Sequence, residues 1–330
     1  MKKVTIYEVA RESNVSLATV SRVINGSTAV KEDTKQRVEE AINRLGYRPN
    51  AIAQGLALSR TTTIGLIIPA NSITFSGRLI NGLCDVAKIY EYSVYLHTIT
   101  EGVTDIKEII DEVIKSRVDG VIIYADKKLD DSVKLLEEYN IPMIVIGDKI
   151  SSDSICSVYV DYEKAVYELC NEYLDKGIDD IGILQDHRND NRSIQMRKGA
   201  EKAFKEHKKE YTGYVEVAKD NRSTYKFLKS YFKNHSHKVF IADRDSQAMA
   251  ALNVVTEYGV KVPEDMELVC MNESKYTSSV RPEISSFVVP SYDIGAVSMR
   301  LMTKMLKNED VEEKEKCLDI LYQPRSTTKE

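Results

Sequence analysis

Seven short apolar runs separated by helical stretches constrain this chain more than any other feature. Thr63 to Pro69 (TIGLIIP), Ser93 to Ile99, Gly120 to Tyr124 (GVIIY) and Pro142 to Ile146 (PMIVI) form a first series, interrupted by the helical stretches Leu79 to Tyr90 and Ile106 to Ser116. After Asp161 the series resumes with Asp180 to Leu184 (DIGIL), Lys238 to Ala242 (KVFIA) and Glu267 to Met271 (ELVCM). Parallel strands need a crossover helix between them, and strands apolar along their whole length are buried on both faces. The repetition therefore predicts two α/β lobes of one class. Ligands of such folds bind at the carboxyl ends of the strands, here in a cleft between the lobes.

The first sixty residues follow a different pattern. Val4 to Arg22 (VTIYEVARESNVSLATVSR) contains two short amphipathic segments around a polar break. Thr5 can cap a first helix with Ile6, Val9 and Ala10 inward, and Ser16 a second with Val20 and Val23 inward. Ala10 is small where the helices cross, and Asn14 stands where the turn needs a left-handed backbone. This is the spacing of a helix-turn-helix. The outward face of its second helix carries Leu17, Ala18, Ser21 and Arg22, able to reach base edges in a major groove, with Arg22 able to fork onto guanine.

Lys31 to Leu45 places Val38, Ala41, Ile42 and Leu45 at helical spacing, and Gly46 ends the run, so a third helix closes a small core. From Tyr47 to Thr63 (YRPNAIAQGLALSRTTT), Pro49 can start a helix of barely two turns, too short to be stable alone in water. The segment is either an ordinary linker or a helix that orders on a partner, with Leu56 as a wedge between base steps in a minor groove.

Charge divides the chain at the same place. Residues 1 to 60 hold 10 basic and 6 acidic side chains, the remainder 36 and 45, so a head of +4 precedes a body of −9. A basic head can neutralise phosphates while an acidic body stays away from them. With 330 residues, 42% hydrophobic and 29% charged, the chain is globular and long enough for a small module plus a two-lobed core. No run is long enough to span a bilayer, and Met1 to Lys3 leads into the first helix without an apolar export segment, so a cytoplasmic protein is expected. Cys84, Cys156, Cys170, Cys270 and Cys317 lack any Cys-x-x-Cys pairing and the five histidines lack ligand spacing, so neither disulfides nor metal are expected.

No strand is followed by a Gly-x-Gly-x-x-Gly turn or a Gly-Lys-Ser/Thr loop, and no nucleophile elbow is present. Carboxylates such as Asp126, Asp161 and Asp245 stand near strand ends, where they serve binding or capping as readily as acid–base chemistry. An enzyme and a bound cofactor are therefore not expected.

The segments TIYEVARESNVSLATVSRVING, LGYRPNAIAQGLA and VRPEISSFVVPSYDIGAVSMRLMTK resemble the lactose-repressor/galactose-repressor (LacI/GalR) family of bacterial transcription regulators, and most closely its members that control carbon catabolism. The resemblance covers essentially the whole chain. It implies a helix-turn-helix headpiece at 1–48, a hinge helix at 49–60, and a core at 61–330 of two Rossmann-like subdomains of the periplasmic-binding-protein type. The first lobe is expected at about 61–160 plus 290–322 and the second at about 161–289 plus the C-terminal tail. It further implies a homodimer on a palindromic operator. Tyr7 and Asn25 would hold phosphates. Ser16, Leu17, Ala18, Thr19, Ser21 and Arg22 would face the major groove, Leu56 would wedge beside Asn50 and Ala53, and Thr5, Tyr47 and Arg48 complete the DNA-contacting set. Gln54 stands where a hinge arginine is usual.

In sugar-responsive members an arginine three residues before a Gly-aromatic pair clamps the effector. Here Met196 takes that place in SIQMRKGAEKAF, with Arg197 adjacent; Arg244 and Asp245 keep part of a second motif, and Cys270, Met271 and Asn272 replace a Gly-Phe-Asp. The weakened cleft set is then Asn71, Asp161, Arg197, Asp245 and Asn272. The catabolite-controlling members instead take their signal from a protein, serine-phosphorylated HPr, which raises DNA affinity. Its docking surface matches Asp85, Tyr90, Tyr292, Asp293, Arg300 and Lys304, with Arg300 forked onto the phosphoserine. Periodicity independently makes Tyr292 to Lys304 an amphipathic helix with Ile294, Val297, Leu301 and Met305 inward and both basic groups outward. The alternative signal is a sugar or phosphorylated metabolite in the cleft. Arg325 stands alone after Pro324, where the family's last strand bears further arginines.

Overall fold

The computed structural model describes residues 4–24, 27, 29–48, 61–70, 76–100, 106–125, 136–186, 190–218 and 220–329. The chain forms two compact units, Met1–Thr62 and Thr63–Glu330.

In the first unit, α1 (Ile6–Ser13), α2 (Leu17–Ile24) and α3 (Glu32–Leu45) form the expected trio. Glu8 turns back onto Thr5, accepting from its backbone N–H at 2.7 Å and its hydroxyl at 3.1 Å, and Ser16 Oγ accepts from the Thr19 amide at 3.1 Å. Asn14 takes the left-handed conformation at φ 54° that the turn requires, and Gly46 at φ 66° stops α3. Val9, Val20, Val23, Val38 and Ala41 are the buried core. Each such valine contributes roughly 1.5–3 kcal/mol, so a few positions hold this small unit together.

The second unit contains two six-stranded sheets of matching order. In the first lobe, β1 (Thr63–Pro69), α4 (Gly77–Ile89), β2 (Ser93–Ile99), α5 (Ile106–Lys115), β3 (Gly120–Tyr124), β4 (Met143–Ile146) and β5 (Ile155–Tyr159) follow in sequence. The second lobe comprises α6 (Tyr162–Asp175), β6 (Ile181–Asp186), α7 (Asn191–Glu206), β7 (Tyr214–Val217), α8 (Asn221–Tyr231), β8 (Val239–Ala242), α9 (Asp245–Glu257), β9 (Glu267–Cys270), α10 (Lys275–Ser279) and β10 (Ser285–Val288). The chain then returns to the first lobe with α11 (Ser291–Leu306) and β11 (Glu315–Cys317), and ends in the second with β12 (Leu321–Gln323). Strand order is β11-β5-β4-β3-β1-β2 in one sheet and β12-β10-β9-β8-β6-β7 in the other.

Continuous apolar runs pack on both faces, as parallel strands must. Ile64, Leu66 and Ile68 of β1 join one core cluster with Ile122 and Ile144, while Ile67, Val121, Ile123 and Val145 join another. Two expectations need correcting. Leu321–Gln323 pairs antiparallel with β10, so the stretch expected in the first lobe through 322 has already crossed over. On α11 only Ile294 of the predicted inward stripe is buried; Val297, Leu301 and Met305 are half-buried, and Gly295, Ser298, Met299, Met302 and Thr303 are innermost. Packing against both α4 and the sheet rotates and widens the buried face. Gly82 and Gly295 permit the α4–α11 approach, because a Cβ on either would overlap a backbone carbonyl of the other helix. Cys156, Cys170 and Cys270 are buried thiols, and no described helix is long and apolar enough to cross a membrane.

Candidate nucleic-acid interface and cleft

On the small unit the buried stripe of α2 (Val20, Val23) turns its other residues outward. Leu17, Ala18 and Arg22 are exposed and Ser21 and Thr19 half-exposed, with Ser16 and Thr19 sharing a 2.8 Å hydrogen bond at the helix start. Arg22 has no ion-pair partner among the described residues, although Arg44 of the same unit pairs with Glu12 at 3.1 Å and Lys35 with Glu32 at 3.4 Å. Tyr7 is 70% exposed and Thr5 and Arg48 lie open, a set able to meet phosphate and base edges together. Tyr47 differs: its ring packs against the headpiece core. Asn25, Asn50, Ala53 and Leu56 lie outside the described residues, as does the expected hinge.

Within the large unit, the carboxyl ends of both sheets face a cavity of about 120 Å³. The first lobe lines it with apolar groups, among them Leu79, Ile146, Val158, Val160 and Ile294, together with Tyr124 and Tyr159. The second lobe lines it with charge: Asp190, Arg192, Arg244 and Asp245, beside Asn191 and Asn272. Asp190 caps α7, accepting from the Ser193 amide at 2.9 Å and hydroxyl at 2.8 Å, and Asp245 occupies the first turn of α9, both placed where a helix dipole favours a carboxylate.

The charges pair with one another. Arg192 Nε lies 2.5 Å from Asp243 Oδ1, Arg244 Nε lies 3.5 Å from Asp243 Oδ2, and Arg244 Nη2 reaches Asp190 Oδ2 at 2.9 Å. Asp243 is fully buried. Burial works to raise the Asp190 pKa, but Arg192, the Ser193 amide and Arg244 outweigh it and hold the carboxyl below its ordinary value. Burial likewise opposes the Arg192 charge, and Asp243 overcomes it, raising that pKa further. The Arg192 guanidinium stands over the Tyr162 ring at 5.7 Å. Burial pushes the Tyr162 hydroxyl up to about 12.

Of the expected cleft residues, Asp245 and Asn272 line the cavity; Asp161 and Arg197 do not. Asp161 caps α6 by accepting from the Lys164 amide at 2.8 Å. Arg197 lies on the Tyr214 side of α7, where its carbonyl accepts from that hydroxyl at 3.3 Å, and Met196 is buried in the core. The cleft arginine is Arg192, a little over one turn earlier on α7. Its signal in the sequence was the Asp-Asn-Arg-Ser that starts the helix, since a residue of the first turn faces the strand ends whereas one of the second turn packs. Asn71 and Asp126 lie outside the described residues.

A third surface combines α4 and α11. Asp85, Tyr90, Tyr292, Asp293, Arg300 and Lys304 are all exposed on these two helices. The Tyr292 hydroxyl donates to Asp85 at 3.0 Å, and Lys307 Nζ sits 4.9 Å from the Tyr90 ring centroid. Arg300 and Lys304, four residues apart, have no carboxylate within ion-pair distance among the described residues.

Comparison with known proteins places this geometry. Residues 5–50 match the family described as bacterial regulatory proteins, lacI family, and residues 170–328 match the periplasmic binding protein-like domain. The chain is 34% identical over 327 residues to catabolite control protein A of Staphylococcus epidermidis, covering 98% of this chain and 99% of that protein. It is also 34% identical to the same protein of Staphylococcus xylosus over 329 residues, covering 99% of each. The lac repressor dimer bound to operator and an anti-inducer has a similar fold, with TM-score 0.87 at 21% identity over 99% of each chain. The transcription regulator CcpA of Lactococcus lactis matches with TM-score 0.70 at 27% identity, covering 82% of this chain and all of that one.

Proposed function

Since the chain belongs to the lacI family of bacterial regulatory proteins, and is accordingly a DNA-binding transcription regulator rather than an enzyme, we propose that it is mainly a repressor of carbon catabolite genes. It acts in the cytoplasm and binds a palindromic operator as a homodimer, with DNA affinity raised by serine-phosphorylated HPr. Two headpieces occupy adjacent major grooves, where the open face of α2 supplies Leu17, Ala18 and Arg22 for base contact. Dimerisation is supported by large apolar side chains left open on the second unit, including Ile89 at 74% and Tyr95 at 59% exposure.

The observation that carries the partner is the pair Arg300 and Lys304. Two exposed cations one helical turn apart, with no carboxylate within ion-pair distance among the described residues, suit a phosphoserine better than any neutral ligand. The cleft supports the sugar alternative less well, because its charged groups are already engaged with each other.

The test is an operator titration with and without serine-phosphorylated HPr. Wild type gains affinity with the partner and Arg300→Ala does not. A wild type indifferent to HPr but shifted by a sugar would establish the alternative. Arg22→Ala weakens operator binding by about 1–3 kcal/mol and relaxes preference at one base pair; equal weakening on every sequence would remove Arg22 from base readout.

A further inference from the structure

We propose that the outer face of α8 is a docking surface for a short acidic segment of a partner protein. It uses none of the residues assigned to DNA or to HPr, so it stands independently of those readings.

Residues 221–238 (NRSTYKFLKSYFKNHSHK) contain Arg222, Lys226, Lys229, Lys233 and Lys238 and no acidic side chain, within a body of net charge −9. Thr224 and Leu228 are buried and fix the inward side of α8. Arg222, Lys226 and Lys229 are therefore exposed together on the outward side, and Lys233 follows four residues on, in the turn that ends the helix. Glu257 engages Lys229 at 2.8 Å, whereas Arg222, Lys226 and Lys233 have no carboxylate within ion-pair distance among the described residues. Like charges one turn apart weaken a helix, and an arriving carboxylate removes that repulsion.

An aromatic ladder runs beside the cations. Phe227, Tyr231 and His235 recur at every fourth residue, with ring centroids 5.9 Å apart for the first pair and 4.5 Å for the second. Phe227 is 40% exposed and His235 is exposed. The Tyr231 hydroxyl lies 2.7 Å from His237 Nε2, and His237 Nδ1 lies 2.6 Å from Asp180 Oδ1. The ladder is thus tied to the start of β6, and a rigid aromatic anchor gives up little freedom on binding.

The length of the stripe selects the occupant. From Arg222 to Lys233 it spans about 16 Å at 1.5 Å per residue. Carboxylates bound it at both ends: Asp220 caps α8, accepting from the Ser223 amide at 2.9 Å, and beyond the ladder Lys238 shares a depression with Asp179, Asp180, Glu264 and Asp265. A DNA duplex or an anionic bilayer extends past this window and meets those charges within a Debye length of about 8–10 Å. A segment of about three helical turns meets only the cations, and an apolar residue on it reaches Phe227.

The test titrates the full chain with a labelled peptide carrying Glu at the 4-3-4 spacing of the stripe and Leu beside it, followed by fluorescence anisotropy. The same peptide with Gln for Glu is the control. Wild type is expected to bind the Glu peptide at least about tenfold tighter than the Gln peptide. Arg222→Glu, Lys226→Glu and Lys233→Glu together abolish that preference. Lys198→Glu, Lys205→Glu and Lys208→Glu, exposed positions on and just after α7 with the same change of net charge, keep it. Phe227→Ser weakens the Glu peptide about fivefold. No binding of the Glu peptide, or equal loss in both triple variants, makes the face merely solvated and overturns the proposal. A stripe variant that loses affinity for non-operator duplex or anionic vesicles while keeping the peptide overturns it as well. Its operator affinity is expected to stay within about twofold of wild type; failure of wild type to bind any operator counts against the proposed function and leaves the peptide result standing.

Discussion

The two lobes share a strand order and a crossover pattern, yet they solve the same two problems with opposite chemistry. Each sheet receives a last strand from the C-terminal segment. In the first lobe β11 joins in parallel to β5, and the surrounding pairs are exposed: Lys149 with Glu315 at 3.4 Å and Lys314 with Asp153 at 3.0 Å. In the second, β12 joins antiparallel to β10 and its continuation is drawn inward, where Arg325 pairs with Glu273 and donates to the Ile284 carbonyl at 3.1 Å. Thr327 is wholly buried, with its hydroxyl 2.6 Å from the Leu268 carbonyl. At the cleft the contrast repeats, a wall of apolar and neutral polar groups facing a charged one. One topology thus sets where strands end and leaves the side chains there unconstrained.

The contrast can be broken most sharply at Arg325. Its guanidinium is 14% exposed, so Arg325→Ala strands Glu273 and lowers stability by about 3 kcal/mol, measured as the urea midpoint. A loss under about 1 kcal/mol would make the two C-terminal strands energetically alike. The glycine contacts come next, and here the lobes should agree. Gly295→Val drives a side chain into the Leu79 carbonyl of α4, and Gly199→Val into the Glu163 carbonyl of α6. Each is expected to cost about 2–3 kcal/mol, and a large difference between them would show that one helix pair yields where the other does not.

Acid response should separate the lobes again. The Asp190 pKa is held below its ordinary 3.8, so its stabilising effect is present above that value and is lost as pH falls through the lower folded-state value. Asp190→Asn should therefore flatten the acid limb of a stability–pH profile between about pH 5 and pH 2. The described cleft residues of the first lobe include no carboxylate, so substitutions on that wall should leave the limb unchanged. An unaltered limb in Asp190→Asn would count against the network. The smallest effect belongs to Lys149→Ala, whose group is fully exposed; its urea midpoint should match wild type.

Much of the fold was legible in local pattern. The helix pair, its caps at Thr5 and Ser16, the left-handed Asn14 and the stop at Gly46 all follow from side-chain chemistry within a few residues, and the structure places them accordingly. The seven apolar runs became strands for the same reason. Strands such as Ile155–Tyr159 and Ser285–Val288 were not visible, because buried serines at Ser157, Ser285 and Ser286 break the apolar signal, those at Ser285 and Ser286 being satisfied by partners far along the chain. The α11 stripe was read a fraction of a turn off, since a helix packed on two sides has no single apolar line.

The cleft was the least legible region. Arg197 was expected there by motif, and Arg192 stands there, because which turn of α7 meets the strand ends depends on where Asp190 caps the helix. Arg325 read as a lone cation near the end of the chain, although its partner Glu273 lies 52 residues away in sequence. By itself the sequence determined the headpiece, the two-lobed α/β class and the open face of α2, all set by neighbours within a turn or a strand. Only the tertiary structure decided which charges meet: a buried ion pair is specified by chain segments arriving together, and nothing local to Arg192 or Asp243 records the other's approach.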